Sequence, residues 1–343
     1  MISPVRRPIV LAPAAPSVLP PSGPASGEEV TIRHSRRHFL TGVASLALVH
    51  GQWADLVSGQ PRKGARLILL GTKGGPRVGG QRRNPSTLIL INDVPYVIDC
   101  GNGTSQQLLA AGVTLNRLRY VLLTHMHSDH MLEYGPLVYN AWVAGLRTRV
   151  DAYGPPPLRS ATQAFWEYVK FDVDTRIEDE GRPDPRPLLV VNELDTPRVV
   201  LDNDDVKITS ATVVHPPIKH AYAYRFDTKD RSIVISGDTN YSPALVGLAK
   251  GADVLVHEVI YLPAIDRLLA RIPNAATLRK HLVDSHTVPE DVGRVAAQAQ
   301  VKMLVLSHLV PGDDPTITDE MWTEGVRKHY QGPIVVGRDL MEI

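Results

Sequence analysis

The chain has 343 residues, a formal charge of +1 and 43% apolar residues. That balance excludes a surface charged enough to draw the whole molecule to nucleic acid or to an acidic membrane. The single cysteine, Cys100, excludes an internal disulfide and reads as a small buried residue.

The N-terminal segment, residues 1–27, is rich in Pro, Ala and Ser, buries little, and predicts a disordered leader. S-R-R-H-F-L at 35–40 precedes the modestly apolar T-G-V-A-S-L-A-L-V at 41–49 and small residues up to Ala54. Paired arginines ahead of such a stretch are the pattern of a twin-arginine export signal. The apolar run is too short to span a bilayer, so no stable membrane anchor is expected. The expected organisation is a leader over 1–60, with a periplasmic or secreted destination, and one domain over 61–343, long enough to bury a full core.

Within that domain, strands are predicted at 67–70, 87–91 and 96–98, the last two joined by an N-D hairpin turn. A helix at 105–111 ends at Gly112, a strand follows at 120–123, and helices are predicted at 133–145 and 160–168. The second half repeats the scheme, with strands at 199–201, 206–214, 222–226, 233–236, 254–256 and 303–306 and helices at 243–250 and 289–300. Two mixed sheets covered by helices, a four-layer αββα sandwich with its site at one edge, fit this order. The apolar spacing of Y-L-P-A-I-D-R-L-L-A-R-I-P-N, within 260–284, suggests a helix over the mouth of a site or a homodimer contact.

The strand at 120–123 runs directly into T-H-M-H-S-D-H-M, which gathers His125, His127, Asp129 and His130. A strand ending in such a loop can bring alternating side chains to one point, and neutral imidazoles with a carboxylate are the donors that zinc prefers. Other predicted strands end the same way, in His215, in Asp238 of S-G-D-T, in His257 and in His308. Singly, each would pass for a capped turn or a satisfied polar residue. The repetition points to a metal centre.

H-x-H-x-D-H, a downstream His, S-G-D-T and L-V-L-S-H together resemble the metallo-β-lactamase superfamily, nearest its ribonuclease Z and arylsulfatase-like branch. L-G-T-K-G-G-P at 70–76, V-I-D-C-G-N-G-T-S-Q-Q-L-L at 97–109, V-H-E at 256–258 and S-H-T-V-P-E-D at 285–291 add to the likeness, which runs from about Arg66 to the C-terminus. It implies two divalent ions, zinc first with manganese or iron also suited, about 3.5–4 Å apart with a hydroxide between them. His125, His127 and His215 would hold the first, Asp129, His130 and His308 the second, and Asp238 would bridge. Asp99 is expected to orient a ligand imidazole from behind. Asp129, His286 and Glu258 are the implied catalytic residues, with His286 as general acid and Glu258 fixing its tautomer. His257 reads as a core or supporting residue, and His220 beside Lys219 as a rim residue or part of a solvated loop.

Two departures bear on substrate. Asn102 stands where ribonuclease Z enzymes usually carry Glu. Those nucleases also project a Gly-rich basic arm, whereas residues 168–187 here mix acids, bases and prolines and predict a substrate-facing or oligomer-contact loop. The expected function is therefore an exported dinuclear hydrolase. Its metal-bridging hydroxide would attack a sulfate ester or phosphodiester of a small molecule, without nucleic acid as partner. The alternatives are a ribonuclease Z-type endonuclease processing transfer RNA 3′ ends, or a lactonase or carboxylic-ester hydrolase.

Overall fold

The computed structural model describes residues 64–270, 272–273 and 275–343, so the leader and its twin-arginine segment lie outside the described residues. Among the described residues, no helix is long and apolar enough to cross a membrane.

The first half builds β1 (Ala65–Gly71), β2 (Ser86–Ile91), β3 (Val94–Ile98), α1 (Thr104–Ala110), β4 (Tyr120–Leu122), α2 (Ser128–Met131), α3 (Tyr134–Val143), β5 (Val150–Gly154), α4 (Leu158–Tyr168), α5 (Lys170–Glu180) and β6 (Leu189–Glu193). The second builds β7 (Val199–Asp202), β8 (Val206–Thr212), β9 (Tyr222–Thr228), β10 (Ser232–Ile235), α6 (Pro243–Leu248), β11 (Val254–Ile260), α7 (Leu262–Leu269), α8 (Ala275–Ser285), α9 (Pro289–Ala299), β12 (Met303–Val310), α10 (Asp319–Arg327), β13 (Ile334–Val336) and β14 (Met341–Glu342). The strand orders are β14-β1-β2-β3-β4-β5-β6 in one sheet and β13-β12-β11-β10-β9-β8-β7 in the other. In each sheet, hairpin-linked antiparallel strands give way to parallel ones, from β3 to β6 and from β10 to β13.

The period of two in each strand sets the layers. In β1, Ile68 and Leu70 pack toward the helices with Leu137 and Val138 of α3, while Leu67 and Leu69 face the opposite sheet. In β11, Leu255 and Val259 meet Val292, Val295 and Ala296 of α9, while Val254 and Val256 face inward. The result is the αββα sandwich with three apolar layers. Asn92 (φ 50°) and Asp93 (φ 64°) make the β2–β3 turn, both left-handed as a two-residue hairpin with matching twist requires.

Phe226, fully buried in the middle layer, meets Tyr96 edge-on at 6.1 Å between ring centroids. Phe226→Ala should cost about 3–5 kcal/mol of stability, because the sheets on either side cannot collapse into the gap. A shifted denaturant midpoint with an unchanged slope would show it, and a loss under 1 kcal/mol would refute the placement.

Residues 168–187 are mostly helical rather than a loop. Arg176 pairs with Asp172 at 2.9 Å and Glu180 at 2.6 Å, and Lys170 pairs with Asp174, all at i,i+4 spacing. These mixed charges, read above as loop character, lie along two turn-spaced rows of α5, 170/174 and 172/176/180. Gly181, at φ 66°, ends the helix before the prolines begin. The 260–284 segment forms two helices, α7 and α8.

Candidate metal centre

The sequence-predicted ligands converge beyond the C-terminal ends of the strands. Thr124–His130 follow β4, Asp99 follows β3, His215 lies just past β8, Asp238 just past β10, and Glu258 and His308 near the ends of β11 and β12. Two local devices aim them. In the β11–β12 ladder Glu258 pairs with Ser307 and Val259 with Leu309, so His308 is the extra residue of a bulge, at φ 46°. Gly237 adopts φ 59° ahead of Asp238, where a Cβ would sit 2.7 Å from the Tyr222 carbonyl oxygen.

His127 Nδ1 lies 3.0 Å from both His125 Nε2 and His215 Nε2. Asp129 Oδ2 lies 3.6 Å from His130 Nε2 and 3.5 Å from His308 Nε2. Asp238 spans the two groups. Its Oδ2 is 3.3 Å from His130 and 3.8 Å from His125, and its Oδ1 is 3.2 Å from His308. His130 Nε2, both His308 nitrogens and Asp238 Oδ1 are buried without a hydrogen-bond partner. Such atoms are costly unless something satisfies them. A tetrahedral zinc ion with bonds near 2.0–2.1 Å holds its donors about 3.3 Å apart, so the spacing and donor chemistry fit metal ions.

Electrostatics agree. Burial lowers His125, and it brings His215 down to about 4, leaving neutral imidazoles with free lone pairs. At His130 burial acts downward too, but Asp238, Asp99 and Asp129 outweigh it and push the group well up. A negative field that holds a proton there also suits a dication. Asp129 and Asp238 would rise on burial, but the surrounding imidazoles, His130 foremost, hold both below the ordinary carboxylate range.

Three of the candidate ligands, His130, His215 and Asp129, have a support. Asp99 accepts from His130 Nδ1 at 2.8 Å, from the Thr124 amide at 2.8 Å and from the Thr124 hydroxyl. His215 Nδ1 donates to the Ser285 carbonyl, at the C-terminal end of α8, at 2.9 Å. The Gly75 amide donates to Asp129 Oδ2 at 3.0 Å. Asp99→Asn, chosen because Asn tolerates the φ of 62° at this position, should weaken metal affinity roughly 10–100-fold. Competition against a chromophoric chelator measures this, and unchanged affinity would rule out the supporting role.

His286 Nδ1 is 3.2 Å from Glu258 Oε2, and Glu258 also accepts the Thr287 amide at 2.8 Å. Burial pulls His286 down, but Glu258, and after it Asp238 and Asp129, raise it to about 9. Its ring stacks on His308 with centroids 5.5 Å apart, and one of its nitrogens joins Asp238 and His308 in a set of donor atoms within 4.8 Å. Val288, with Pro289 after it, forms the N-cap of α9, so His286 is not a helix cap. His257 is fully buried outside these donor groups, its Nδ1 donating to the Glu258 carbonyl at 2.6 Å. His220 sits against the Tyr222 hydroxyl at 3.4 Å, also outside them.

Sequence reasoning missed one residue, His281 of α8. Its half-buried ring lies 6.0 Å from His127, 6.3 Å from His215 and 6.4 Å from His286, centroid to centroid. Burial, then His286, lower its pKa. The spacing of five between His281 and His286 offered no signal, because α8 ends between them.

Comparison with known proteins places this geometry. The sequence profile described as the metallo-β-lactamase superfamily matches residues 79–279. A ribonuclease Z from Mycobacterium bovis is 32% identical over 280 residues, 81% of this chain and 97% of that protein. The structure of human tRNase Z, short form, superposes with a TM-score of 0.59 at 19% identity, covering 81% of this chain and 98% of that one. Zn(2+)-bound PqqB from Methylobacterium extorquens gives 0.58 at 13% identity, covering 81% and 99%. The ribonuclease Z likeness overturns two expectations, the small sulfate or phosphate ester as substrate and the exclusion of nucleic acid. They were drawn from overall charge, from Asn102 and from residues 168–187. A ligand set that can attack tetrahedral sulfur and phosphorus alike does not choose between them, and one segment's charge does not describe the whole surface.

Proposed function

We propose that this metal-dependent hydrolase, which belongs to the metallo-β-lactamase superfamily in its ribonuclease Z-like branch, cleaves a phosphodiester bond of RNA, with the 3′ end of precursor transfer RNA as substrate class. The observation that carries this is the 32% identity sustained over 97% of the length of the M. bovis ribonuclease Z. His125, His127 and His215 would hold one divalent ion and Asp129, His130 and His308 a second, with Asp238 between, and zinc suits these donors. When bound, such ions supply positive charge opposite the reacting phosphate and ionise water near neutral pH.

The remaining work falls to the chain's own side chains. Asp99 fixes the proton of His130 on Nδ1, so that Nε2 faces the site as a lone pair. The Ser285 carbonyl does the same for His215. Glu258 keeps Nδ1 of His286 protonated and leaves Nε2 to deliver a proton to the departing ribose oxygen. Burial of the site keeps bulk water from competing for that proton.

The test is cleavage of a precursor transfer RNA bearing a 3′ trailer by zinc- or manganese-loaded protein, beside nitrophenyl sulfate and bis(nitrophenyl) phosphate. Chelator-sensitive cutting at the trailer boundary is expected. Turnover of the sulfate with the RNA left intact would sink the proposal.

A further inference from the structure

We infer that His281 is a substrate-contacting residue that accepts a hydrogen bond from a ribose 2′-hydroxyl beside the scissile phosphate, which makes the site selective for RNA over DNA. This rests on the ribonuclease reading above and names a specificity contact within it.

The tautomer follows from one proton. Ser285 Oγ donates its only hydrogen to the Pro216 carbonyl at 2.6 Å. It therefore meets His281 Nδ1, 3.4 Å away, as an acceptor, and the imidazole proton sits on Nδ1. Nε2 is left as a lone pair on a half-buried ring. The ring stands close to His127, His215 and His286, beside both the first ligand group and the acid. It is not one of the clustered donor atoms that could share an ion. An acceptor at that place cannot bind a phosphate oxygen, which is itself an acceptor. It needs a donor, and the donor that an RNA strand carries beside every phosphate, and DNA lacks, is the 2′-hydroxyl.

The experiment compares wild-type protein, His281→Ala and His281→Gln on an all-ribose precursor and on one carrying a single 2′-deoxy nucleotide next to the cleaved bond, with metal content measured for each protein. Loss of one such hydrogen bond should slow the wild type about tenfold on the deoxy substrate. His281→Ala should lose a similar factor on the all-ribose substrate, lose nothing further on the deoxy one, and keep its full metal content. His281→Gln, whose amide oxygen can accept, should recover part of the rate. The inference is overturned if His281→Ala keeps the wild-type rate, stays as sensitive to the 2′-deoxy change as wild type, or loses metal. Wild-type protein that carries its ions but cuts neither RNA overturns the ribonuclease reading, and this inference with it.

Discussion

Asp238→Ala is expected to leave the protein with less than one ion per chain and to cut kcat/KM by about a thousandfold or more, a barrier increase of roughly 4 kcal/mol. The reason is position. Among the described residues, Asp238 is the one carboxylate within 3.8 Å of imidazoles from both candidate ligand groups, at 3.2 Å from His308, 3.3 Å from His130 and 3.8 Å from His125. Removing it takes a donor from each group at once, along with the negative charge that offsets the repulsion of two neighbouring dications. Elemental analysis after gel filtration reads the metal directly, and circular dichroism checks that the fold persists. Two ions retained with turnover near wild type would refute the bridging role.

The second large effect concerns proton delivery. His286→Ala should keep both ions and lose about 10²–10⁴ in rate on substrates with poor leaving groups. On a nitrophenyl leaving group, which departs without protonation, the loss should shrink to a few-fold. The geometry sets up a sharp alternative, because a His286 nitrogen also lies within 4.8 Å of donor atoms of Asp238 and His308. Loss of an ion from His286→Ala would assign it to the metal instead. Glu258→Gln adds a pH readout. Burial lowers His286 while Glu258 raises it. With the carboxylate gone the folded pKa falls, so the protonated acid is lost at lower pH and the alkaline limb of the rate profile should move down.

The chain itself determined the candidate metal centre and most of the fold. Ligation depends on residue type, and His125, His127, Asp129 and His130 are held together by local spacing in one loop. The apolar runs of β1 and β2 and the alternation of β8 wrote the sheets just as locally, because composition and period belong to the strand itself. Short β5 and β6 escaped notice because neither shows enough alternation to stand out from its neighbours. Residues 168–187 misled because charge composition ignores register. The same Asp172, Arg176 and Glu180 that look like loop residues in a list form a ladder on a helix.

What only the tertiary structure decided depends on contacts between residues far apart in the chain. The bulge that turns His308 into the site exists because β12 pairs with β11 out of step. His281 reaches the site because the Ser285 carbonyl at the end of α8 is fastened to His215, 70 residues earlier in the chain. Composition and spacing report what a segment can do by itself. The partner of a half-buried imidazole, and with it the choice of substrate, is fixed by packing between segments, which no local pattern encodes.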